Sequence, residues 1–422
     1  MEERDVVIIG GGPAGYRAAI RVSQLGGKAT LIENNALGGT CINQGCIPVR
    51  TLLRAAEIVD LTRSAKDFGV NFKEAEIDLS KMISRKNIIV RTLSSGVKQG
   101  LRSSRVEVIE GIGKLLSSSQ LEVQLQDGSK KEIKARRIIL ASGSKWKKAT
   151  LPGGEKIITP TELMEIKTIP ESMLIIGGGF IGTSIATIFS ILGTKTSILE
   201  ESARILPEID KEIVSIFEKE MEDKSIRFYT NAQVKKIEEK GQGEKNIVTT
   251  IKGENINLTA QWILMAEERE ANVNGIDLDK VGVKLNEKGG ISVNRRMETN
   301  VPTIFAAGDV TMDHMWTHVA YVEGIVAAEN AMGRDSKIDY AAIPYSANTF
   351  PEISGLGMTE DEALAQGDKV QVGRFPFSGN GLATILGQRT GMIKIITAGK
   401  YNQILGVHIV GPRSADLISE AT

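Results

Sequence analysis

Only two cysteines and three histidines occur in the 422 residues of this chain. That scarcity excludes a disulfide-stapled secreted module, and the few soft ligands are too scattered for a zinc site. No metal is expected. Charge of one sign is missing too, because 52 Lys and Arg balance 52 Asp and Glu. The balance argues against nucleic acid or an anionic membrane as a partner. Aromatic residues make up 5% while glycines number 44, which suits an α/β protein with many tight turns and backbone close to ligands. The start, MEERDVVIIGGGPAG, has no basic region, long apolar core or small-residue cleavage site, so no export signal is read and a cytoplasmic protein is expected. Long uncharged runs are absent with one exception. Residues 172–194, SMLIIGGGFIGTSIATIFSILGT, have the length of a membrane span, but three consecutive glycines split them into a predicted strand, turn and helix. Membrane insertion is not expected.

What is present is an internal repeat. DVVIIGGGPAG (5–15) and SMLIIGGGFIG (172–182) each give an apolar strand, a GxGxxG turn and helix-forming sequence. An apolar strand ending in an acid follows each, at Glu33 and at Glu200, 23 positions beyond the first glycine in both copies. A lone GxGxxG is weak, but strand, turn, helix and acid together make the dinucleotide-binding fingerprint strong. Gly10 and Gly177 are expected to permit the tight turn, Gly12 and Gly179 to let a pyrophosphate approach, and Gly15 and Gly182 to let helix and strand pack closely. The phosphates would sit on helix N-termini, and the two acids would accept from ribose hydroxyls. At the second site an acid repels a 2′-phosphate, which favours NAD over NADP.

Two dinucleotides in one chain imply an electron relay, and this gives the thiols a context. Both lie in GGTCINQGCIPVR (38–50), as Cys41 and Cys46, just after the first acid. In a regular helix residues five apart point about 140° away from each other. A bridge between them therefore requires a distorted helix start, which Gly45 and Pro48 can supply. An inert bridge or a pair of buried thiols is the bland alternative.

GGGPAG, GGTCINQGCIP, GGGFIG, IFAAGDV and PEISGLGMTEDEA, in that order, resemble the flavin-dependent pyridine nucleotide-disulfide oxidoreductases, most closely their dihydrolipoamide dehydrogenase branch. The resemblance spans essentially the whole chain. It implies an α/β fold with two Rossmann-like domains, for FAD and NAD, and an α+β dimer-interface domain. The implied divisions are 1–149 for FAD, 150–272 for NAD, 273–342 for a central domain completing the FAD site, and 343–422 for dimerisation. Helices are expected near 48–67 and 79–101. The implied activity is oxidation of protein-bound dihydrolipoamide to lipoamide with NAD, through FAD and a redox-active disulfide. Partners would be a second copy and lipoyl-bearing proteins of 2-oxoacid dehydrogenase or glycine cleavage complexes. Alternatives are a related FAD disulfide reductase or diaphorase with another acceptor, and a low-turnover flavin-binding paralogue acting as partner or sensor.

Residue by residue, the resemblance makes Cys46 the thiol facing the flavin and Cys41 the one exchanging with substrate. Gly39, Thr40 and Arg50 of the same box, Gly113, Ser142, Asp309 and Thr317 would join Gly10, Gly12, Gly15 and Glu33 around FAD, with Asp309 on the ribityl chain. Thr317 would lie in the first turn of a helix starting near Met315 whose dipole points at the flavin. Val234 would line the adenine end of the NAD site, unless it is simply a strand residue. His314 and His318 are read as flavin neighbours rather than metal ligands, and His408 as structural.

Three departures stand out. A lysine paired with a glutamate in the second fingerprint helix is usual, whereas Arg50 and Ser184 occupy those positions. The family's Gly-Arg-x-Pro-Asn run appears as EREAN, placing Glu268 where a glycine lies beside the nucleotide. The resemblance also stops at DLISEAT, before a closing His-Pro segment whose His and Glu act across the dimer as the base. The expectation from these 422 residues is electron transfer from NADH to a dye with weak lipoamide turnover.

Overall fold

The computed structural model describes residues 3–422 apart from positions 72, 74, 148, 242 and 368. The first two residues of the N-terminal reading thus lie outside the described residues. Two units form, one from residues 1–48, 86–147 and 269–340, the other from 49–85, 148–268 and 341–422. Residues 49–85 group with the second unit rather than with the chain that precedes them.

In the first unit the run RDVVII lies in the strand Glu3–Ile9, where Val6, Val7 and Ile8 are fully buried. Burial on both faces is what a parallel strand requires. It pairs in parallel with Ala29–Glu33 and with the end of Lys130–Leu140. The start of Glu107–Ser117 and the strand Ile304–Ala306 extend this layer on its two sides. The remaining halves of Glu107–Ser117 and Lys130–Leu140 leave the layer and pair antiparallel with Gln120–Leu125. Leu115, Leu121, Val123 and Ile133 of this meander share a core with Val7, Ile32 and Ile138 of the parallel layer. Helices Pro13–Gln24 and Thr317–Ala331 pack closely because Gly324 presents no side chain: a Cβ there would stand 2.2 Å from the Ala14 carbonyl oxygen.

The second unit repeats the plan. Trp262–Met265, Ser172–Ile176, Lys195–Glu200 and Arg227–Thr230 form a parallel layer in that order, and Ala232–Gly241, Glu244–Ile251 and Glu254–Ala260 form an antiparallel meander. The uncharged stretch 172–194 resolves into the strand, a glycine turn and the helix Phe180–Ile191, as its glycines predict. That helix is apolar almost all round because it is buried almost all round. Among the described residues no helix is long and apolar enough to cross a membrane.

Residues 343–422 contribute an antiparallel sheet ordered Tyr345–Ala347, Glu352–Gly357, Gln403–Gly411, Met392–Ala398, Val370–Pro376. Its accompanying helix Glu360–Ala365 starts on a reciprocal Thr359–Glu362 capping box. His408 is a fully buried strand residue, its Nδ1 3.0 Å from Tyr345 Oη and its Nε2 2.8 Å from the Met358 carbonyl oxygen. Burial, the largest influence, pushes its pKa down.

One buried cation was not anticipated. Lys394 is fully buried and donates to both oxygens of Asp210 at 2.9 and 2.8 Å, with Glu360 at 2.7 Å and Glu212 at 3.1 Å. Asp210 also caps the helix Lys211–Asp223, and Arg374 donates to Glu212 and Glu360. Removing one partner of a buried pair strands the other charge, which costs about 3–5 kcal/mol. Lys394→Met is therefore expected to lower the thermal midpoint sharply, and adding Asp210→Asn to recover part of the loss, as read by calorimetry.

Candidate active site: two dinucleotide turns and a cysteine pair

The first turn is built by glycines where nothing else fits. Gly10 sits at φ +108°, and a Cβ on Gly15 would fall 1.8 Å from the Gly10 carbonyl oxygen, so the helix can start only against bare backbone. Gly12 has open space, its nearest neighbour being the Gly39 Cα at 3.7 Å from a would-be Cβ. Helix Pro13–Gln24 has no side-chain cap, which leaves its first amides for an anion. Glu33 accepts from the Gly11 N–H at 2.6 Å and the Asn35 N–H at 2.7 Å, so the acid is fixed by the turn.

The cysteine box grows directly out of this turn. Gly38 N–H donates to the Gly11 carbonyl at 2.9 Å, and Gly39 packs on Gly12. Gly39 and Thr40 open a short helix, Gly39–Asn43, that holds Cys41. Gln44, at φ −137°, and Gly45 break it, and a second helix, Cys46–Ser64, starts on the other thiol with Pro48 in its first turn, where proline is tolerated. This interruption is the kind of distorted helix start that a bridge between the two thiols would require. Cys46 Sγ lies 3.4 Å from Thr317 Oγ1. Thr317 is the first residue of its helix, two positions later than expected, with Trp316 as an N-cap that offers no side-chain bond.

Around this point the first unit gathers polar groups from distant segments. Ser144 Oγ–H donates to Asp309 Oδ2 at 2.8 Å, and Arg269 Nη2 lies 3.6 Å from the same oxygen. Arg269 stacks over Trp146, with 5.0 Å from guanidinium carbon to ring centre. Glu323 accepts from the Gly308 N–H at 2.6 Å and from Tyr340 Oη–H at 2.8 Å, and burial pushes its pKa up to about 7. Gly113 lies on Glu107–Ser117 against the side chains of Ile9 and Ile32. Two buried polar atoms, Ser142 Oγ and Arg269 Nε, have no hydrogen-bond partner among the described residues. Orphaned donors, an uncapped helix and an open glycine turn together fit a large polar group such as a flavin dinucleotide. His314 stacks on Tyr340 with ring centres 4.1 Å apart, and His318 lies in the first turn of the Thr317 helix. Among the described residues no group of three or more His, Cys, Asp or Glu is arranged to hold a metal ion.

In the second unit the same turn recurs. Gly177 sits at φ +105°, a Cβ on Gly182 would fall 2.0 Å from the Gly177 carbonyl oxygen, and nothing lies within 4 Å of one on Gly179. Glu200 accepts from the Gly178 N–H at 2.8 Å and the Ser202 N–H at 2.7 Å, matching Glu33 bond for bond. Val234 lies half-buried on the first meander strand, at the edge of a bulge.

The profile described as pyridine nucleotide-disulphide oxidoreductase matches residues 4–331, and that of the family's dimerisation domain matches residues 343–422. The chain belongs to the pyridine nucleotide-disulphide oxidoreductase family. Dihydrolipoyl dehydrogenase of Chlamydia muridarum is 40% identical over 431 residues, covering 100% of this chain and 90% of that protein. The Bacillus subtilis protein of the same name is 36% identical over 423 residues, covering 99% and 91%. Among solved structures, the Cu(II) complex of the HOCl-induced flavoprotein disulfide reductase RclA from Escherichia coli superposes with a TM-score of 0.88 at 26% identity, covering 100% of this chain and 92% of that one. The expected fold class and the expected FAD and NAD cofactors stand with this membership.

Against that family the departures take physical form. Arg50 is exposed and donates from Nε to Asn348 Oδ1 at 2.6 Å, while buried Ser184 donates to the Phe180 carbonyl at 2.6 Å. Neither replaces the lysine–glutamate pair. Glu268 adopts φ +58°, so the family's glycine position keeps a glycine's backbone under a glutamate. Its neighbour Glu267, unnoticed in the sequence, lies across the second turn: a Cβ on Gly177 would stand 3.0 Å from Glu267 Oε2. Burial first, then Glu200, Glu201 and Glu268, push Glu267 up to about 7. Tyr16 and Tyr321 were also missed; their hydroxyls are 2.8 Å apart, and burial, the largest influence, pushes the pKa of both up.

Proposed function

We propose that this oxidoreductase transfers electrons between protein-bound dihydrolipoamide and NAD through FAD and the Cys41–Cys46 pair. The observation that carries it is the cysteine box seated on the first dinucleotide turn, with Cys46 against the uncapped helix start at Thr317. Gly10, Gly12, Gly15, Glu33, Gly39, Thr40, Gly113, Ser142, Asp309 and Thr317 are assigned to FAD. Gly177, Gly179, Gly182, Glu200 and Val234 are assigned to NAD, with Glu268 beside it and Arg50 near the flavin. FAD, when bound, supplies two-electron exchange between a nicotinamide and a disulfide. Cys41 supplies the sulfur that a substrate thiolate attacks. The bond to Cys46 breaks, Cys46 leaves as thiolate, and a mixed disulfide joins substrate to Cys41. The second substrate thiol, as thiolate, then attacks its own half of that mixed disulfide, closing lipoamide and releasing Cys41. Two electrons have moved to the cysteine pair, and the pair returns to the disulfide as NAD takes up both electrons and one of the two thiol protons to become NADH, the other proton being released.

In this reading 1–149 and 273–342 serve FAD, 150–272 serves NAD, and 343–422 joins two copies of the chain. Lipoyl-bearing proteins of 2-oxoacid dehydrogenase or glycine cleavage complexes are the partners, and the cytoplasm is the setting. The unpaired roles of Arg50 and Ser184 favour a second reading, an FAD disulfide reductase or diaphorase with another acceptor. NADH oxidation measured with lipoamide and with a dye separates them: turnover with lipoamide supports the first, and dye turnover alone supports the second.

Nucleotide choice gives a narrower check. Glu200→Ala removes a ribose acceptor and a charge that repels a 2′-phosphate, so the preference for NADH over NADPH is expected to shrink by on the order of tenfold. Steady-state kinetics with both nucleotides reads it.

A further inference from the structure

Glu323 is fully buried in the helix Thr317–Ala331, outside the glycine turns and the cysteine box. A carboxyl is costly in such a place unless it is hydrogen-bonded. Burial first, and then the charges of Asp309 and Asp313, push its pKa up to about 7, while its Tyr340 and Gly308 donors act the other way. An apolar residue would fill the space without that cost. What the carboxyl gains is one donor on each oxygen: the Tyr340 hydroxyl gives to Oε1 at 2.8 Å and the Gly308 N–H to Oε2 at 2.6 Å.

The second bond matters because of the residue that donates it. Gly308 sits at φ +80°, ψ −161°, a conformation open to glycine and few others, and a glycine left alone is free to leave it. Its carbonyl is held by the N–H and the hydroxyl of Thr311, each at 3.0 Å. Its N–H is held by Glu323. The next residue is Asp309, whose Oδ2 takes the Ser144 hydroxyl at 2.8 Å and has Arg269 at 3.6 Å, while Oδ1 takes no partner among the described residues. The placing of Oδ1 is thus set from two sides, at the side chain by Ser144 and at the backbone by Glu323. One carboxyl also joins the turn at Asp309 to the helix that starts at Thr317 against Cys46.

We propose that Glu323 is a positioning residue for the flavin: through the Gly308 N–H it fixes the backbone from which Asp309 presents Oδ1 to a ribityl hydroxyl. This rests on the assignment of Asp309 to FAD, and its test reads binding rather than turnover. FAD and ADP are titrated into flavin-depleted protein, FAD by the change in its fluorescence and ADP by calorimetry. ADP has the adenosine end and no ribityl chain, so it reports on the glycine turn alone. Glu323→Leu is expected to weaken FAD by about tenfold or more, as loss of a hydrogen bond to a charged group does, and to leave ADP within about twofold. Glu323→Gln keeps an oxygen for the Gly308 N–H and is expected to restore most of the affinity. Glu323→Asp keeps the charge but is one methylene short, and is expected to lose FAD affinity as Glu323→Leu does, which covers misfolding of Glu323→Leu. In Asp309→Ala protein the Glu323→Leu change is expected to cost less than about twofold, because the residue it positions is gone. Unchanged FAD affinity in Glu323→Asp, equal loss of FAD and ADP, or the full cost retained in Asp309→Ala protein each overturns the proposal. If Asp309→Ala alone leaves FAD affinity unchanged, the assignment of Asp309 fails and the proposal with it. If lipoamide is not turned over while Glu323 and Asp309 stay coupled in FAD binding, the redox reading fails and this one stands.

Discussion

Cys41→Ser is expected to lower NADH-linked lipoamide turnover by at least about a thousandfold while NADH-to-dye turnover survives. A serine hydroxyl can neither be attacked as a disulfide sulfur nor leave as a thiolate, so exchange with substrate has no route. The dye needs no such exchange. The two thiols occupy separate helices, Cys41 in Gly39–Asn43 and Cys46 at the head of Cys46–Ser64, where it touches Thr317. Loss of the outer thiol therefore leaves the groups assigned to FAD in place. Steady-state rates with lipoamide and with a dye, on protein whose flavin absorbance is intact, check this outcome. Equal loss of both activities would show that the thiols are not a separable stage.

The second large effect is on nucleotide binding. Glu267 lies over Gly177 with its pKa pushed up to about 7, and the charges acting on it, Glu200, Glu201 and Glu268, are all carboxylates. A pyrophosphate entering this turn adds negative charge, so the protonated form of Glu267 binds it better. Affinity for NADH should thus be fully present below about pH 7 and be lost as pH rises through that value, approaching tenfold per unit where the ionised form does not bind. Glu267→Gln should flatten this dependence and tighten binding at pH 8 by tenfold or more, consistent with a like-charge repulsion of a few kcal/mol at an effective dielectric of about 20. Glu268→Gly should tighten binding further and relieve a glutamate at φ +58°. Titration of NADH binding by calorimetry from pH 6 to pH 8.5 reads all three.

The fold and the two dinucleotide turns were legible because their demands are local. A positive φ at Gly10 and Gly177 and a carbonyl pressed against Gly15 and Gly182 can be met by few residues, so the pattern survives in the string of letters. The break between Cys41 and Cys46 was legible through Gly45 and Pro48, residues able to supply the distorted helix start that a bridge across this spacing would need. Other features depend on distant partners. Tyr16 meets Tyr321 across 305 positions, and Lys394 meets Asp210 across 184. Lys394 did leave a trace, standing in MIKIITA at the inward register with Met392, Ile396 and Ala398, where a lysine is out of place unless paired. Glu268 was visible as a departure, but Glu267 was not, because only folding lays its side chain over Gly177. Asn348, the acceptor for Arg50, carried no signal at all.

The most direct measurement is the redox state of the cysteine pair after anaerobic addition of NADH. Oxidised, flavin-loaded protein is treated with excess NADH, quenched with an alkylating agent and digested, and the peptide spanning residues 38–50 is weighed. Two alkyl groups on that peptide, appearing only with NADH and not with flavin-depleted protein, are the predicted result. NADH consumed in stoichiometric amount while the peptide takes up none would contradict electron passage to Cys41 and Cys46.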